Sequence, residues 1–87
     1  MIPEDFINHG FKREDDPMFR FRKELVSEEY IADNGIREDE IPCLLFGSTG
    51  INKGFCIYTG EHFVWFNSTT IEDAIAFAEK IVAFEPV

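Results

Sequence analysis

Two histidines and two cysteines, His9, His62, Cys43 and Cys56, are the residues best suited to nucleophilic or metal chemistry, and seventeen acids could add carboxylates. A zinc site needs Cys and His ligands at short spacings, and no CxxC or HxxxH pair occurs. Cys56 and His62 lie close enough in sequence for a thiol–imidazole dyad. Alternation along the strands expected there puts them on opposite faces, so they read as a core thiol and a turn histidine. No Ser-His-Asp set is suggested, and nothing selects two acids as a hydrolytic pair. The run Gly47-Ser48-Thr49-Gly50-Ile51-Asn52-Lys53-Gly54 has the glycines and lysine of a phosphate cradle. A P-loop would need glycine at Asn52 and a hydroxyl residue at Gly54, so the match fails. A calcium loop aligned on Gly35 would put Tyr30, Ala32 and Asn34 at liganding positions and Ile41 at the closing one, which also fails. Glu38-Asp39-Glu40 reads as a solvated charge run. We therefore expect no catalytic residue, no cofactor and no metal.

The elements that would position these residues can be read along the chain. Pro3 to Phe11 reads as a short helix: proline suits its first position, Glu4 and Asp5 complement its dipole, and Gly10 can close it in the left-handed conformation. Phe11 should then fold back on Phe6 or Ile7. Asp15-Asp16-Pro17 reads as a turn. Met18 to Leu25, with Phe19 and Phe21 alternating against Arg20 and Arg22, reads as a half-buried strand. Ser27 to Glu40 admits one helical turn, with Ser27 as cap and Gly35 as stop, or a strand; irregular or short structure is expected. Ile41 to Phe46 is an apolar strand and Gly47 to Gly54 a loop.

Phe55–Tyr58 and Phe63–Phe66 flank Thr59-Gly60-Glu61-His62, a hairpin signal that sets Tyr58 opposite Phe63 and Cys56 opposite Trp65. One face then carries Phe55, Ile57, Val64 and Phe66, and the other Cys56, Tyr58, Phe63 and Trp65. Both are apolar, whereas an exposed hairpin normally has a polar face. Thr69 and Glu72 read as the capping box of a last helix. Its apolar face is Ile71, Ala74, Ile75, Ala78, Ile81 and Val82, flanked by Phe77 and Phe84, and it should run to about Phe84, before Pro86.

The expected fold is thus a single α+β domain over 1–87. A small, mostly antiparallel sheet of three to four strands is joined by a short N-terminal helix, and a longer amphipathic C-terminal helix packs on one face. Ten phenylalanines and 45% hydrophobic content supply the core and argue against disorder. The start lacks a basic and an apolar leader region, and no apolar run reaches the roughly eighteen residues of a membrane span. A cytoplasmic, reducing compartment and free thiols are expected.

Net charge is −9, which opposes direct nucleic-acid binding and favours solubility or a basic partner. The excess is local. Six acids and only Arg37 lie between Val26 and Glu40, whereas six acids and five bases lie before them. Glu28, Glu29, Asp33, Glu38, Asp39 and Glu40 would resemble a row of phosphates to a basic groove, with Tyr58 and Trp65 as apolar anchors.

In Phe6-Ile7-Asn8-His9-Gly10-Phe11, in Phe63-Val64-Trp65-Phe66 and in the capped terminal helix, the chain resembles small phage and prophage proteins. The likeness spans most of the length and rests on pattern. It implies a host-defence inhibitor, of which anti-CRISPR proteins are one kind, that occludes a nucleic-acid site. The expected function is accordingly a non-enzymatic protein-binding module that covers a basic surface of a host nuclease or CRISPR effector. The alternative is a homodimer formed through the uncovered hairpin face.

Overall fold

A computed structural model of the chain describes residues 2–49, 52–60 and 62–84. Gly50 and Ile51 of the expected loop, Glu61 of the expected turn and Pro86 lie outside them. The elements are α1 (Pro3–Asn8), β1 (Lys12–Arg13), β2 (Phe21–Glu24), α2 (Glu28–Asn34), a 3₁₀ turn (Glu38–Glu40), β3 (Cys43–Thr49), β4 (Asn52–Tyr58), β5 (Phe63–Phe66) and α3 (Ile71–Phe84). The five strands pair antiparallel in the order β1-β2-β3-β4-β5. This is an α+β fold with one strand more than expected. The extra strand, β1, is two charged residues long, and only its pairing with Phe21 and Arg22 makes it a strand.

Register places a row of aromatic rings on one face of the sheet. Phe21, Phe46, Phe55 and Phe66 are neighbours across β2 to β5. Leu44, Ile57 and Val64 form the next row on that face. Both α1 and α3 pack here. Phe6 from α1 stacks on Phe21 at 4.5 Å between ring centres, lies 4.6 Å from Phe46 and meets Phe11 edge-on at 5.3 Å. Ile71, Ala74 and Ala78 of α3 complete the buried cluster, and Phe77 meets Phe66 at 4.7 Å. Ala74 and Ala78 are fully buried and mark the face that α3 turns to the sheet.

Local signals account for the helix ends. The Asp5 carboxylate accepts the Ile2 N–H, Gly10 takes φ +87°, and the Phe11 N–H bonds back to the Phe6 carbonyl. Ser27 caps α2 by accepting the Tyr30 N–H at 3.1 Å, and Gly35 closes it at φ +60°. The helical alternative for 27–35 is therefore realised over the irregular one. α3 is capped by Thr70, whose hydroxyl accepts the Asp73 N–H at 3.1 Å. The expected box of Thr69 and Glu72 sits one residue too early, and Glu72 turns to His9 instead.

Two further expectations are corrected. The loop at 47–54 is mostly strand: β3 and β4 pair out to Thr49 and Asn52, through Gly47 opposite Gly54. Phe19 and Phe21 do not share a face. Arg20 N–H bonds to the Phe46 carbonyl, and the Asp16 carboxylate holds the Met18 and Phe19 N–H groups. The chain bends there, and Phe19 joins Cys43, Leu45 and Cys56 on the opposite face while Phe21 stays with the helices. A local irregularity of this kind reverses which side a residue occupies.

His9 ties α1 to α3. Its Nδ1 lies 2.7 Å from the Asp5 carbonyl and its Nε2 2.9 Å from Glu72 Oε1. Both partners are acceptors, so only the imidazolium, with two N–H groups, satisfies both. The Asp5 carbonyl and then Glu72 raise the His9 pKa above 6.5. The Glu72 pKa is lowered from 4.5, first by its own backbone N–H and then by His9. The stability from raised His9 is complete below its unfolded value and lost as pH rises through its folded value; that from lowered Glu72 is lost as pH falls through its folded value. Thermal unfolding should therefore show the largest gap between wild type and His9→Gln from pH 4.5 to 6.5, with the gap closing as pH rises through the folded His9 value. A gap that does not change with pH would rule the pair out. Phe6→Ala should cost about 3–5 kcal/mol in denaturant unfolding, a large share of the ~5–15 kcal/mol typical of a domain. A cost near 1 kcal/mol, the usual effect of a point mutation, would show that α1 is not part of the cooperative core.

Candidate functional site

α1 and α3 share one face of the sheet, and among the described residues no helix side chain belongs to the buried cluster on the other. Its residues follow from the same register. Arg22, Leu45, Cys56 and Trp65 make one row across the strands, and Glu24, Cys43, Tyr58 and Phe63 the next. The hairpin register expected from the sequence is realised, Tyr58 opposite Phe63 and Cys56 opposite Trp65. Phe19, carried over by the bend at Arg20, stacks on Trp65 at 5.7 Å and on Phe63 at 6.3 Å. It packs with Leu45 and Cys56 and covers the outer aromatics only in part. Phe63 keeps 55% and Trp65 40% of their surface exposed.

Beside these rings lies a groove of about 370 Å³. Cys43 and Leu45 form its floor, Phe19, Tyr58 and Phe63 its walls, and Glu14, Asp16 and Arg22 its polar end. Arg22 reaches Glu14 at 3.8 Å and Glu24 at 4.0 Å. The Cys43 thiol is buried, and desolvation raises its pKa against the opposing pull of Arg22. Burial likewise pushes Cys56 to about 11. A nucleophilic cysteine needs the reverse, a thiolate stabilised at neutral pH and open to substrate. His62 is exposed at the hairpin turn, and its position in β-alternation puts it on the opposite face from Cys56. Among the described residues no three His, Cys, Asp or Glu side chains converge on a metal position, and no helix is long and apolar enough to cross a membrane.

The acids singled out from the sequence divide into two places. Glu28, Glu29 and Asp33 lie on α2, where no side chain is buried. Glu28 lines a separate groove with Lys12, Lys23 and Glu24, on the β1 side of the sheet. Glu38, Asp39 and Glu40 form the 3₁₀ turn and stand at the other side, against the β4–β5 turn. Two contacts hold them there. The Tyr58 hydroxyl donates to the Asp39 carbonyl, and a side chain on Gly60, at φ +93°, would meet Glu40 backbone at 3.3 Å. Arg37 pairs with Asp39 at 3.3 Å and Glu40 at 3.1 Å, partly neutralising the run.

Tyr58 and Trp65 thus lie on the open face, and the turn that carries half of the expected acids is hydrogen-bonded to Tyr58. Tyr58 is also the link between aromatic face and acidic turn. Sequence reasoning passed over Phe19 and Phe63 as site residues. The two-faced apolarity of the hairpin was the signal for Phe63; Phe19 depends on the bend, which has no comparable mark beyond Asp16. Both thiols should react with an aromatic disulfide reagent only as fast as the protein opens, speeding with added denaturant. Fast native labelling of either one would contradict the burial described. Compared with known proteins, the chain matches no family model, and no curated protein or solved structure matches it, which leaves its own geometry to carry the function.

Proposed function

We propose that this chain is an acidic, non-enzymatic protein-binding module. It docks the open aromatic face of its sheet on a basic protein surface, such as the nucleic-acid-binding groove of a nuclease or CRISPR effector. The observation that carries this reading is the adjacency of Phe63 and Trp65, both exposed on the face opposite α1 and α3, to an acidic turn anchored by Tyr58. Tryptophan and tyrosine at the centre of a patch are the usual energetic anchors of an interface. Carboxylates at the rim raise the rate and fix the orientation of docking on a cationic partner, more than they add affinity. An inhibitor of the kind implied by the phage-protein resemblance would act by occupying such a groove.

The same exposed rings also favour a second reading, a homodimer through this face, in which the acids only solubilise. Affinity capture from a host lysate, with salt elution and mass spectrometry, tests the first. Wild type should retain a basic partner, Trp65→Ala should lose it, and Glu38→Gln/Asp39→Asn/Glu40→Gln should release it at lower salt. A partner held equally by all three proteins removes the reading. Light scattering tests the second, which a strict monomer at high concentration eliminates.

A further inference from the structure

The two edges of the sheet are built differently. β1 is two residues long and carries Lys12 and Arg13, the short, charged form that keeps an edge from pairing with other chains. β5 is Phe63-Val64-Trp65-Phe66, with no charge and no proline. The direction of its backbone groups follows from the ladder. The Thr59 N–H donates to the His62 carbonyl at 3.2 Å, which makes Thr59 and His62 a hydrogen-bonded pair. Such pairs alternate along an antiparallel ladder. Val64 and Phe66, opposite Ile57 and Phe55, therefore turn their N–H and C=O towards β4. Phe63 and Trp65 turn theirs outward, and among the described residues no strand lies beyond them.

The surroundings of this edge define what would fit it. On the open face, a residue added opposite Phe63 or Trp65 would lie beside an exposed aromatic ring. On the helix face, Val64 is 42% exposed, and a groove of about 540 Å³ runs past Phe66, Phe77 and Asp73. An apolar slot with a carboxylate suits lysine or arginine, whose stem packs on the rings while the cationic head reaches the acid. A second copy of the chain would bring its own neutral β5, with no cation for Asp73, and would set two molecules of net charge −9 together against their mutual repulsion.

We infer that β5 is a strand-addition site. An extended segment of the partner, with apolar and basic residues alternating, pairs antiparallel with Phe63–Phe66. Its apolar side chains lie beside Phe63 and Trp65, and its basic ones fall on the side of the Phe66–Asp73 groove. Main-chain hydrogen bonds supply affinity in such complexes and alternate side chains supply specificity. This inference rests on the protein-binding reading above and names its mode.

The probe is a short fluorescent peptide alternating valine and arginine, followed by anisotropy and by amide hydrogen exchange of the labelled protein. The peptide should bind and slow exchange at Phe63 and Trp65 by about tenfold or more, as new hydrogen bonds at an open edge do. N-methylation at the valines, which pair with Phe63 and Trp65, should abolish binding. N-methylation at the arginines, whose backbone groups point away, should preserve it. Asp73→Asn should weaken binding, and a peptide of the same composition in valine and arginine blocks should bind poorly. Binding without protection of the two amides, or binding indifferent to methylation at the valines, overturns strand addition. If lysate capture through Trp65 still succeeds, the protein-binding reading survives that result. Protection of the same amides on raising protein concentration alone gives the edge to a second copy and overturns the partner segment.

Discussion

Phe6 sits where every layer of this small fold meets. Its ring lies on Phe21 and Phe46 of the sheet, meets Phe11 beyond its own helix, and is 1% exposed. The fold depends on that insertion because a chain of 87 residues has room for only one core. The aromatic row across β2 to β5 would present a broad apolar surface without it. With α1 over one end of the row and α3 over the other, the core is closed from one side only. That arrangement puts both α1 and α3 on one face and leaves the opposite face, among the described residues, to the short corner around Phe19.

The corner is the second constraint. One residue out of step at Arg20 moves Phe19 through the plane of the sheet, and Asp16 holds the turn that makes this possible. Phe19 dries the centre of the open face, packing with Leu45 and the two cysteines, and stacks on Phe63 and Trp65 while leaving both rings partly exposed. The result is a graded surface: buried sulfur and aliphatic carbon in the middle, aromatic rings at one margin, and Arg22 with its carboxylates at the other.

Charge is arranged around that gradient. The Lys12–Arg13 edge has cations, the β5 edge has none, and the acidic 3₁₀ turn is tied to the β5 side through Tyr58 and the close approach at Gly60. His9 and Glu72, by contrast, pair with each other at the surface, holding α1 to α3. The chain's acidity is therefore partly structural and partly displayed, and the displayed part at the 3₁₀ turn borders the exposed aromatics.

Much of this was legible in the amino-acid sequence, because the relevant signals are local. Pro3, Gly10 and Phe11 define α1 through its first position, its stop and its closing contact; Ser27 and Gly35 admitted α2 only as an alternative to the irregular structure expected there. Thr59-Gly60-Glu61-His62 sets the hairpin register, and with it the two apolar faces. The periodicity of Ile71 to Val82 defines α3, although its cap lies at Thr70, one residue past the expected one, because adjacent threonines offer the same hydroxyl. What the sequence left open concerns partners distant along the chain. β1 is a strand only because β2 lies beside it, and the strands through Gly47 and Gly54 persist because each supplies the other's hydrogen bonds. The face taken by Phe19 is set by a bend whose bonds reach across to Phe46. That α1 and α3 choose the same face, leaving Phe63 and Trp65 exposed at an unpaired edge, is a packing outcome: alternation can show that both faces are apolar, but only tertiary contacts decide which one is covered.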